Sequence, residues 1–341
     1  MKLTPIPNFA GLGVYVDNVD LQGMTDVELE ALKKQLYTQY LLVIFRNTNL
    51  TLERYIEVIG RVWGKTSVGP KTFCRKYNLK ADELSEIKNP DFVKTKNIDS
   101  DDLRRLGTVF SKLPVHVHQG LVALKLVGKT VEGDERFLEG DLGWHCDESM
   151  DLTFCDSIAL YGNQSMTKSA TGFVTTAGWY EKQTEAFRSE LNDMIATLEF
   201  NKYEFNDQLN EDEEIIVRDS VGYDERMPLV VTTRGGFTGI RCPWDSFAGI
   251  EGMPDAEFQK FKERLHKEIM VEENIYDHWY QQDNDMLMFD NSISFHRRLG
   301  STLNRIAYRI PFYYNEPVAE RYKQLEFNEQ YKKLLPNLIR A

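Results

Sequence analysis

Short runs of apolar and β-branched residues, separated by turn residues, dominate the chain from His116 onward. Their length, and the way in which apolar and polar side chains tend to alternate in them, are typical of β-strands. The predicted strands are Val115–Val117, Leu121–Val127, Gly143–Asp147, Ser157–Tyr161, Gly172–Thr176, Leu229–Thr233, Met286–Phe289 and Ile306–Phe312. Many short strands with few helices predict a mainly β fold, a sandwich or jelly roll, rather than a doubly wound parallel sheet.

The first part of the chain has a helical pattern instead. Thr25-Asp-Val-Glu28 has the form of a capping box, and apolar residues then recur roughly on one face as far as Tyr40. A buried strand is predicted at Leu41–Phe45, and Thr51 is predicted to cap a second helix that runs to Gly64. The other predicted helices lie near Trp179–Leu198, Asp255–Met270 and Ala319–Leu335.

Nothing in the sequence marks a domain boundary. Because there is no internal repeat and no Gly/Ser/Pro-rich linker, residues 1–341 are interpreted as a single domain. The polar, weakly periodic residues 66–112 are expected to form an excursion from the core, and residues 200–226 a second excursion or lid. No Gly-rich phosphate loop follows a predicted strand, which argues against a Rossmann or P-loop fold.

Composition limits the partners and the compartment. A hydrophobic fraction of 42% with 28% charged residues is ordinary for a globular protein with a core. The net charge of −12 argues against a nucleic-acid partner held by phosphate contacts, and no apolar run is long enough to span a membrane. The four cysteines form no CxxC pair, which indicates reduced thiols and a cytoplasmic location. The sequence leaves the oligomeric state undetermined.

The first candidate metal ligands lie in Gly143-Trp-His-Cys-Asp147. Along an extended strand the side chains of His145 and Asp147 point to one side, while Cys146 points to the other. An imidazole and a carboxylate need a third ligand to form the facial triad that holds non-haem Fe(II). His296, at the end of an apolar run, is the candidate for that ligand.

Several stretches of the chain resemble the Fe(II)/2-oxoglutarate dioxygenases of the taurine dioxygenase and clavaminate synthase-like family. They are Gly143-Trp-His-Cys-Asp147, Phe289-Asp-Asn-Ser-Ile-Ser-Phe-His296, Asn304-Arg-Ile-Ala-Tyr-Arg309 and Gly60-Arg-Val-Trp-Gly64. The resemblance implies a double-stranded β-helix, which is a jelly roll with a cupin-like core. It also implies that His145, Asp147 and His296 bind iron.

The same resemblance implies further roles. Arg305 is expected to pair with the distal carboxylate of 2-oxoglutarate, a task that suits a rigid guanidinium fork. Thr171 is the candidate for a second contact to that carboxylate. Arg309 is expected to contact an anionic group of the substrate, or to brace the co-substrate.

The implied reaction consumes 2-oxoglutarate and O2 and releases succinate and CO2, with ascorbate as a candidate reductant. Two imidazoles and one carboxylate leave Fe(II) with three open positions for the co-substrate and dioxygen. Related halogenases lack the carboxylate, so Asp147 favours hydroxylation over halogenation. The expected substrate is a small molecule that is anionic or resembles an amino acid. Desaturation and cyclisation by the same chemistry stay open.

Two alternatives also stay open. In the first, the chain is a jelly-roll protein that binds metal without redox turnover: a lyase, an isomerase or a regulator. In the second, the metal lies at His116-Val-His118, which is another pair with i, i+2 spacing on a predicted strand. Arg305 separates the first alternative from an oxygenase, because only an oxygenase needs a buried cation for the distal carboxylate.

Other polar residues have less specific expectations. Arg297 and Arg298 follow His296 directly. A guanidinium at this place could reach the substrate, but a solvated turn is the favoured prediction. His278 adjoins a polar helical stretch and is predicted to be solvated. The candidates to meet a substrate ammonium group are the acidic residues Glu148, Asp151 and Asp245.

Overall fold

The structure, a computed structural model, describes residues 1–66, 77–79, 83, 86–87, 89–100, 102–103, 115–119, 121–128, 141–147, 155–198, 226–233, 235–244 and 246–313. The helices in these ranges are α1 (Asp26–Tyr37), α2 (Leu52–Glu57), a π-helix (Val58–Trp63), α3 (Pro90–Thr95), α4 (Ala177–Glu181), α5 (Glu185–Asn192) and α6 (Asp255–Ile269), with 3-10 turns at Phe9–Gly11 and Glu272–Asn274. The strands are β1 (Lys2–Pro5), β2 (Gly13–Asp17), β3 (Leu42–Phe45), β4 (Lys65–Thr66), β5 (Val115–His118), β6 (Leu121–Val127), β7 (Leu142–His145), β8 (Ser157–Gln164), β9 (Ser169–Thr175), β10 (Ile195–Leu198), β11 (Arg226–Pro228), β12 (Val230–Thr232), β13 (Thr238–Ile240), β14 (Phe247–Ile250), β15 (Ile275–Trp279), β16 (Met286–Asp290), β17 (Ser294–Gly300) and β18 (Ile306–Tyr313).

Two sheets form the centre of the fold. The large sheet has the order β1-β2-β3-β16-β8-β18-β6-β5, with β4 on β18, and the small sheet has the order β15-β9-β17-β7. From β6 to β9, and again from β15 to β18, successive strands alternate between the two sheets. This alternation defines a double-stranded β-helix, and the predicted jelly roll is confirmed.

The space between the sheets holds one apolar cluster. Within β16, Leu287 and Phe289 belong to this cluster, and Phe173 of β9 reaches it from the small sheet. The rings of Phe173 and Phe289 lie 4.9 Å apart, so the two sheets are in contact here. Met286 and Met288 point the other way, into the cluster under α1 and α2. The strand β16 therefore reads as an apolar run, because both of its faces are covered.

The outer face of the small sheet packs against a second layer. Phe295 of β17 lies in a cluster with residues of α6 and of the three-stranded sheet β11-β10-β14. Because side chains alternate along a strand, burial of Phe295 outward directs its neighbour His296 into the space between the sheets.

The N-terminal helices form largely as predicted. Thr25 caps α1 in a capping box with Glu28, and the Thr51 hydroxyl accepts the Arg54 N–H at the start of α2. The helix α1 ends at Tyr37, before the predicted end, and α2 continues as a π-helix to Trp63.

One predicted helix is wrong in its extent. Residues 179–198 form α4, α5 and the strand β10 rather than a continuous helix. The reason is local: Thr184 has an extended backbone and its hydroxyl accepts the Phe187 N–H, so it starts a new helix. Beyond that helix, Ile195–Leu198 pairs with β11 and β14.

Some predictions fall on residues that are not described. They are the helix at 319–335, most of the excursion 66–112 and nearly all of the excursion 200–226. In the part of the chain that the structure describes, no helix is both long and apolar enough to cross a bilayer. The described cysteines Cys146, Cys155 and Cys242 are buried.

Candidate metal centre

The strand pair β7–β17 brings two of the three predicted ligands together. His145 near the end of β7 is the register partner of His296 on β17, and the two imidazole rings lie 4.1 Å apart. Asp147 was predicted to lie within this strand, but it lies in a turn two residues past the end of β7. All three side chains are buried between the sheets.

The donor atoms of these side chains converge. His145 Nε2 lies 3.9 Å from Asp147 Oδ1, and His296 Nε2 lies 3.7 Å from Asp147 Oδ2. The ligand atoms of the three residues all lie within 4.8 Å of one another. Two imidazoles and one carboxylate in this arrangement match the donor set of a facial triad.

Hydrogen bonding and burial prepare both imidazoles to donate a lone pair. His145 Nδ1 lies 2.8 Å from the carbonyl oxygen of Gly143, an acceptor, so this nitrogen carries the proton and leaves Nε2 as the donor atom. Burial, with a further contribution from His145, lowers the pKa of His296 to about 3. His296 is therefore neutral at pH 7.

Asp147 keeps its negative charge despite its burial. Burial works to raise the pKa of this carboxyl group, but Arg309, His296 and His145 together outweigh it and hold the pKa below the ordinary value. Arg309 Nη1 lies 2.7 Å from Asp147 Oδ2. The structure thus places Arg309 at the metal centre, on the same carboxylate oxygen that faces His296.

Cys146 points away from the centre, as predicted. It lies in the apolar cluster on the outer face of the small sheet, and its thiol donates to the carbonyl oxygen of Ser294 at 3.3 Å. This contact joins the end of β7 to the start of β17 and helps to keep the two histidine-bearing strands in register.

Arg305 and Thr171 meet around a third residue, Tyr280. The hydroxyls of Thr171 and Tyr280 lie 3.0 Å apart, and the Arg305 guanidinium lies 5.9 Å from the centre of the Tyr280 ring. Arg305 is only 7% exposed, and among the described residues no acceptor bonds to its Nη1 atom. A buried cation with an unsatisfied donor is a site for an anion.

Tyr280 was missed in the sequence because its role depends on the strand register. Thr171 is the β15 register partner of His278, and Tyr280 lies two residues after His278, just past the end of β15. Side chains alternate between the two faces along β15. Only an extension of this alternation past the end of the strand could have placed Tyr280 on the same face as Thr171.

The rival histidine pair has other partners. His118 Nε2 lies 3.1 Å from Glu57 Oε1, and His116 packs against the Tyr308 ring at 6.3 Å. Among the described residues, the group that could hold a metal is His145, Asp147 and His296. The structure gives no support to a metal at His116-Val-His118.

The predicted turn at Arg297 and Arg298 and the predicted solvation of His278 are wrong. Arg297 and Arg298 lie within β17 rather than in a turn. Arg297 faces outward, where it pairs with Asp277 at 2.8 Å, whereas Arg298 is the register partner of the inward-facing Thr171. His278 is 3% exposed and hydrogen-bonds to Asp285 at 3.1 Å.

The chain is also similar in sequence to one protein family and in structure to several solved proteins. The profile of the family described as "Taurine catabolism dioxygenase TauD, TfdA family" matches residues 2–310. A taurine dioxygenase from Burkholderia xenovorans has a similar structure, with a TM-score of 0.60, 16% identity, and coverage of 91% of this chain and 89% of that chain. AAD-2 in complex with Mn(II) and N-oxalylglycine has a TM-score of 0.57 and 14% identity, with coverage of 93% and 99%. No curated protein matches the chain by sequence.

Proposed function

The chain belongs to the TauD/TfdA dioxygenase family, and we propose that it hydroxylates a small molecule with Fe(II), 2-oxoglutarate and O2. Succinate and CO2 are the co-products. The convergence of His145, Asp147 and His296 on one point carries the proposal.

The residues fit the metal that the family requires. In the proposal, His145 Nε2, His296 Nε2 and one oxygen of Asp147 hold Fe(II). The pKa of His296, lowered to about 3, means that no proton competes for this nitrogen at neutral pH. Bound iron would supply the activation of dioxygen, whereas the protein supplies the ligand geometry and buries the three ligands away from bulk water.

A second group of residues supports 2-oxoglutarate as the co-substrate. Arg305 would bind its distal carboxylate through the buried guanidinium, and the Thr171 hydroxyl would donate to the same carboxylate. Tyr280 would orient Thr171, because the two hydroxyls are 3.0 Å apart. A charge-assisted hydrogen bond in a buried site contributes about 1.5–3 kcal/mol.

Arg309 supports an anionic or amino-acid-like substrate. One of its terminal nitrogens lies against Asp147, and a guanidinium carries five N–H donors, so the same side chain can also face a substrate carboxylate or sulfonate. The acidic candidates for a substrate ammonium group, Glu148, Asp151 and Asp245, lie outside the described residues.

Turnover of 2-oxoglutarate tests the proposal directly. The purified chain would be incubated with Fe(II), 2-oxoglutarate and air, with ascorbate as the assay reductant, while succinate and O2 consumption are measured with and without a panel of amino acids. We expect succinate to form in an amount equal to the O2 consumed. Both succinate formation and O2 consumption should be lost in His145→Ala and His296→Ala. If the chain binds metal but consumes no O2 with any substrate tested, a metal-binding protein without redox turnover (a lyase, an isomerase or a regulator) would be favoured.

The products distinguish the finer outcomes. Hydroxylation adds one oxygen atom to the substrate, whereas desaturation removes two hydrogen atoms and cyclisation does so with ring formation. Mass spectrometry of the product with 18O2 separates these reactions. Hydroxylation predicts that one labelled oxygen enters the product and one enters succinate.

A further inference from the structure

Asp147 lies in a part of the backbone that no strand holds. The strand β7 ends at His145, whose register partner is His296, and Asp147 follows in a turn. A metal ligand must be held to within about 0.5 Å of its productive position. Some other group must therefore fix the backbone that carries the carboxylate.

The side chain of Asn291 contacts that backbone on both sides. Its Oδ1 atom accepts the Asp147 N–H at 3.1 Å, and its Nδ2 atom donates to the Asp147 carbonyl oxygen at 2.8 Å. The amide of Asn291 thus pairs with Asp147 as a neighbouring strand would, since it offers one acceptor and one donor. We call this pair of hydrogen bonds the Asn291 clasp.

Asn291 is itself held firmly. Its side chain is fully buried, and its backbone N–H donates to the Asp156 carbonyl oxygen at 3.0 Å. Just before it, the carboxyl group of Asp290 accepts the N–H groups of Ser292 and Ile293, which fixes the turn between β16 and β17. Because the Asn291 amide is not free to rotate, it can fix the position of the backbone to which it hydrogen-bonds, as well as stabilise the fold.

The clasp also connects the two halves of the metal centre. Asn291 lies in the turn that leads into β17, the strand that carries His296. Its Nδ2 atom is also 3.5 Å from the carbonyl oxygen of Cys155. One side chain thus contacts the backbone of both Asp147 and Cys155 from the turn that precedes β17.

We propose that Asn291 is a positioning residue of the metal centre, which sets the place of the Asp147 carboxylate relative to His296. This inference rests on the proposed function, because it assumes that Asp147 is a metal ligand. Groups that orient metal ligands commonly contribute a factor of about 10–100 to metal affinity. We expect an effect of this size from the clasp.

Binding of Mn(II) to Asn291→Ala tests the inference, with Asn274→Ala as the matched control. Asn274 is also buried, and its Nδ2 atom donates to a backbone carbonyl, that of Ile269, away from the metal centre. Both variants are expected to melt at a lower temperature than the wild type. Calorimetric titration should show Mn(II) bound about 10–100-fold more weakly by Asn291→Ala and unchanged by Asn274→Ala.

The absorption of Co(II) supplies a readout of geometry. Bound Co(II) in Asn291→Ala should show a changed visible spectrum at saturating metal, because the ligand field changes when Asp147 shifts. Asn274→Ala should show the wild-type spectrum. Equal Mn(II) affinity and equal Co(II) spectra in wild type and Asn291→Ala would overturn the inference.

Amide exchange in the wild type provides a test if Asn291→Ala does not fold. The Asp147 N–H is expected to exchange at least about tenfold more slowly than an unprotected amide in the metal-free chain. Exchange at the unprotected rate would show that the clasp does not form. Failure of the wild type to bind Mn(II) at all would instead overturn the proposed function, so the two failures are distinguishable.

Discussion

Arg309 Nη1 and Asp147 Oδ2 lie 2.7 Å apart, so a partly buried cation contacts the buried carboxylate of the candidate metal triad. The same oxygen lies 3.7 Å from His296 Nε2. Arg309 and a bound metal ion would therefore both interact with the negative charge of the Asp147 carboxylate. In the metal-free protein, Arg309 compensates a carboxylate that burial would otherwise push toward its neutral form.

The first prediction concerns Arg309→Gln. Without metal, this variant should be destabilised, because the buried Asp147 carboxylate loses its partly exposed cation; the cost should stay below the about 3–5 kcal/mol of a fully buried ion pair. A bound divalent ion restores a positive charge beside Asp147. The increase in melting temperature on addition of saturating Mn(II) should therefore be larger in Arg309→Gln than in the wild type.

Arg297→Gln is the control for this experiment. It removes the pair with Asp277 on the outer face of the same sheet, so it should lower the melting temperature by the same amount with and without Mn(II). Equal metal-induced shifts in wild type and Arg309→Gln would show that Arg309 does not compensate Asp147.

The second prediction concerns the co-substrate. Arg305→Lys keeps the charge but loses the planar fork, so it should raise the KM for 2-oxoglutarate by about 10–100-fold, the cost of one or two charge-assisted hydrogen bonds. Thr171→Val should raise the same KM by about tenfold. Tyr280→Phe should have a smaller effect, since its hydroxyl contacts Thr171. Steady-state succinate formation measures all three.

Metal affinity separates a role at the co-substrate from a role at the metal. Calorimetric titration of Arg305→Lys with Mn(II) should give the wild-type affinity, because Arg305 lies near Thr171 and Tyr280 rather than in the triad. An unchanged KM in Arg305→Lys would contradict the assignment of Arg305 to the distal carboxylate.

The pairing of His145 with Asp147 could be predicted from the sequence because its signal is local, whereas the full triad with His296 was implied by the resemblance to a known family. The i, i+2 spacing of His145 and Asp147 places both on one side of an extended chain, whatever the rest of the fold does. The apolar run before His296 likewise predicts a buried strand. Such a pattern predicted the strand at His145 and a sandwich or jelly roll. It did not predict β17, the strand that carries His296.

The predictions that failed depended on partners distant in the sequence. Arg297 and Arg298 are adjacent, and nothing in their own neighbourhood says that one meets Asp277 and the other lies beside Thr171. The burial of His278 depends on Asp285 and on the strands around it. The clasp of Asn291 joins residues 144 positions apart, and an asparagine in a turn has many simpler uses.

The third prediction distinguishes the triad from the rival histidine pair. Asp147→Asn should weaken Mn(II) binding at least about 100-fold, because it removes the negative charge and one ligand oxygen. His118→Ala, which loses the contact with Glu57, should bind Mn(II) as the wild type does. The opposite order of affinities in a calorimetric titration would place the metal at His116-Val-His118.

The last prediction concerns pH and Asp290. Burial raises the pKa of this carboxyl group from 3.8 to about 7, against the hydrogen bonds from Ile293 and Ser292. The charged groups that act on it are Asp156, which raises the pKa further, and Arg241, which lowers it. The folded state therefore holds a proton that the unfolded chain releases near pH 4.

The sign of the effect on stability follows from this difference. Between pH 4 and pH 7 the folded state binds more protons than the unfolded state, so the free energy of unfolding falls as the pH rises. Above pH 7 the contribution of Asp290 is constant, because the group is ionised in both states. Asp290→Asn cannot ionise, and its amide oxygen can still accept the N–H groups of Ser292 and Ile293.

Comparison of the two metal-free proteins isolates this contribution. The free energy of unfolding of Asp290→Asn minus that of the wild type, from urea titrations at pH 5, 6, 7 and 8, should rise with pH up to about 7 and then level off. Groups that do not interact with Asp290 titrate equally in both proteins and cancel in the difference. A difference that stays constant over this range would mean that Asp290 is already ionised in the folded protein at pH 5.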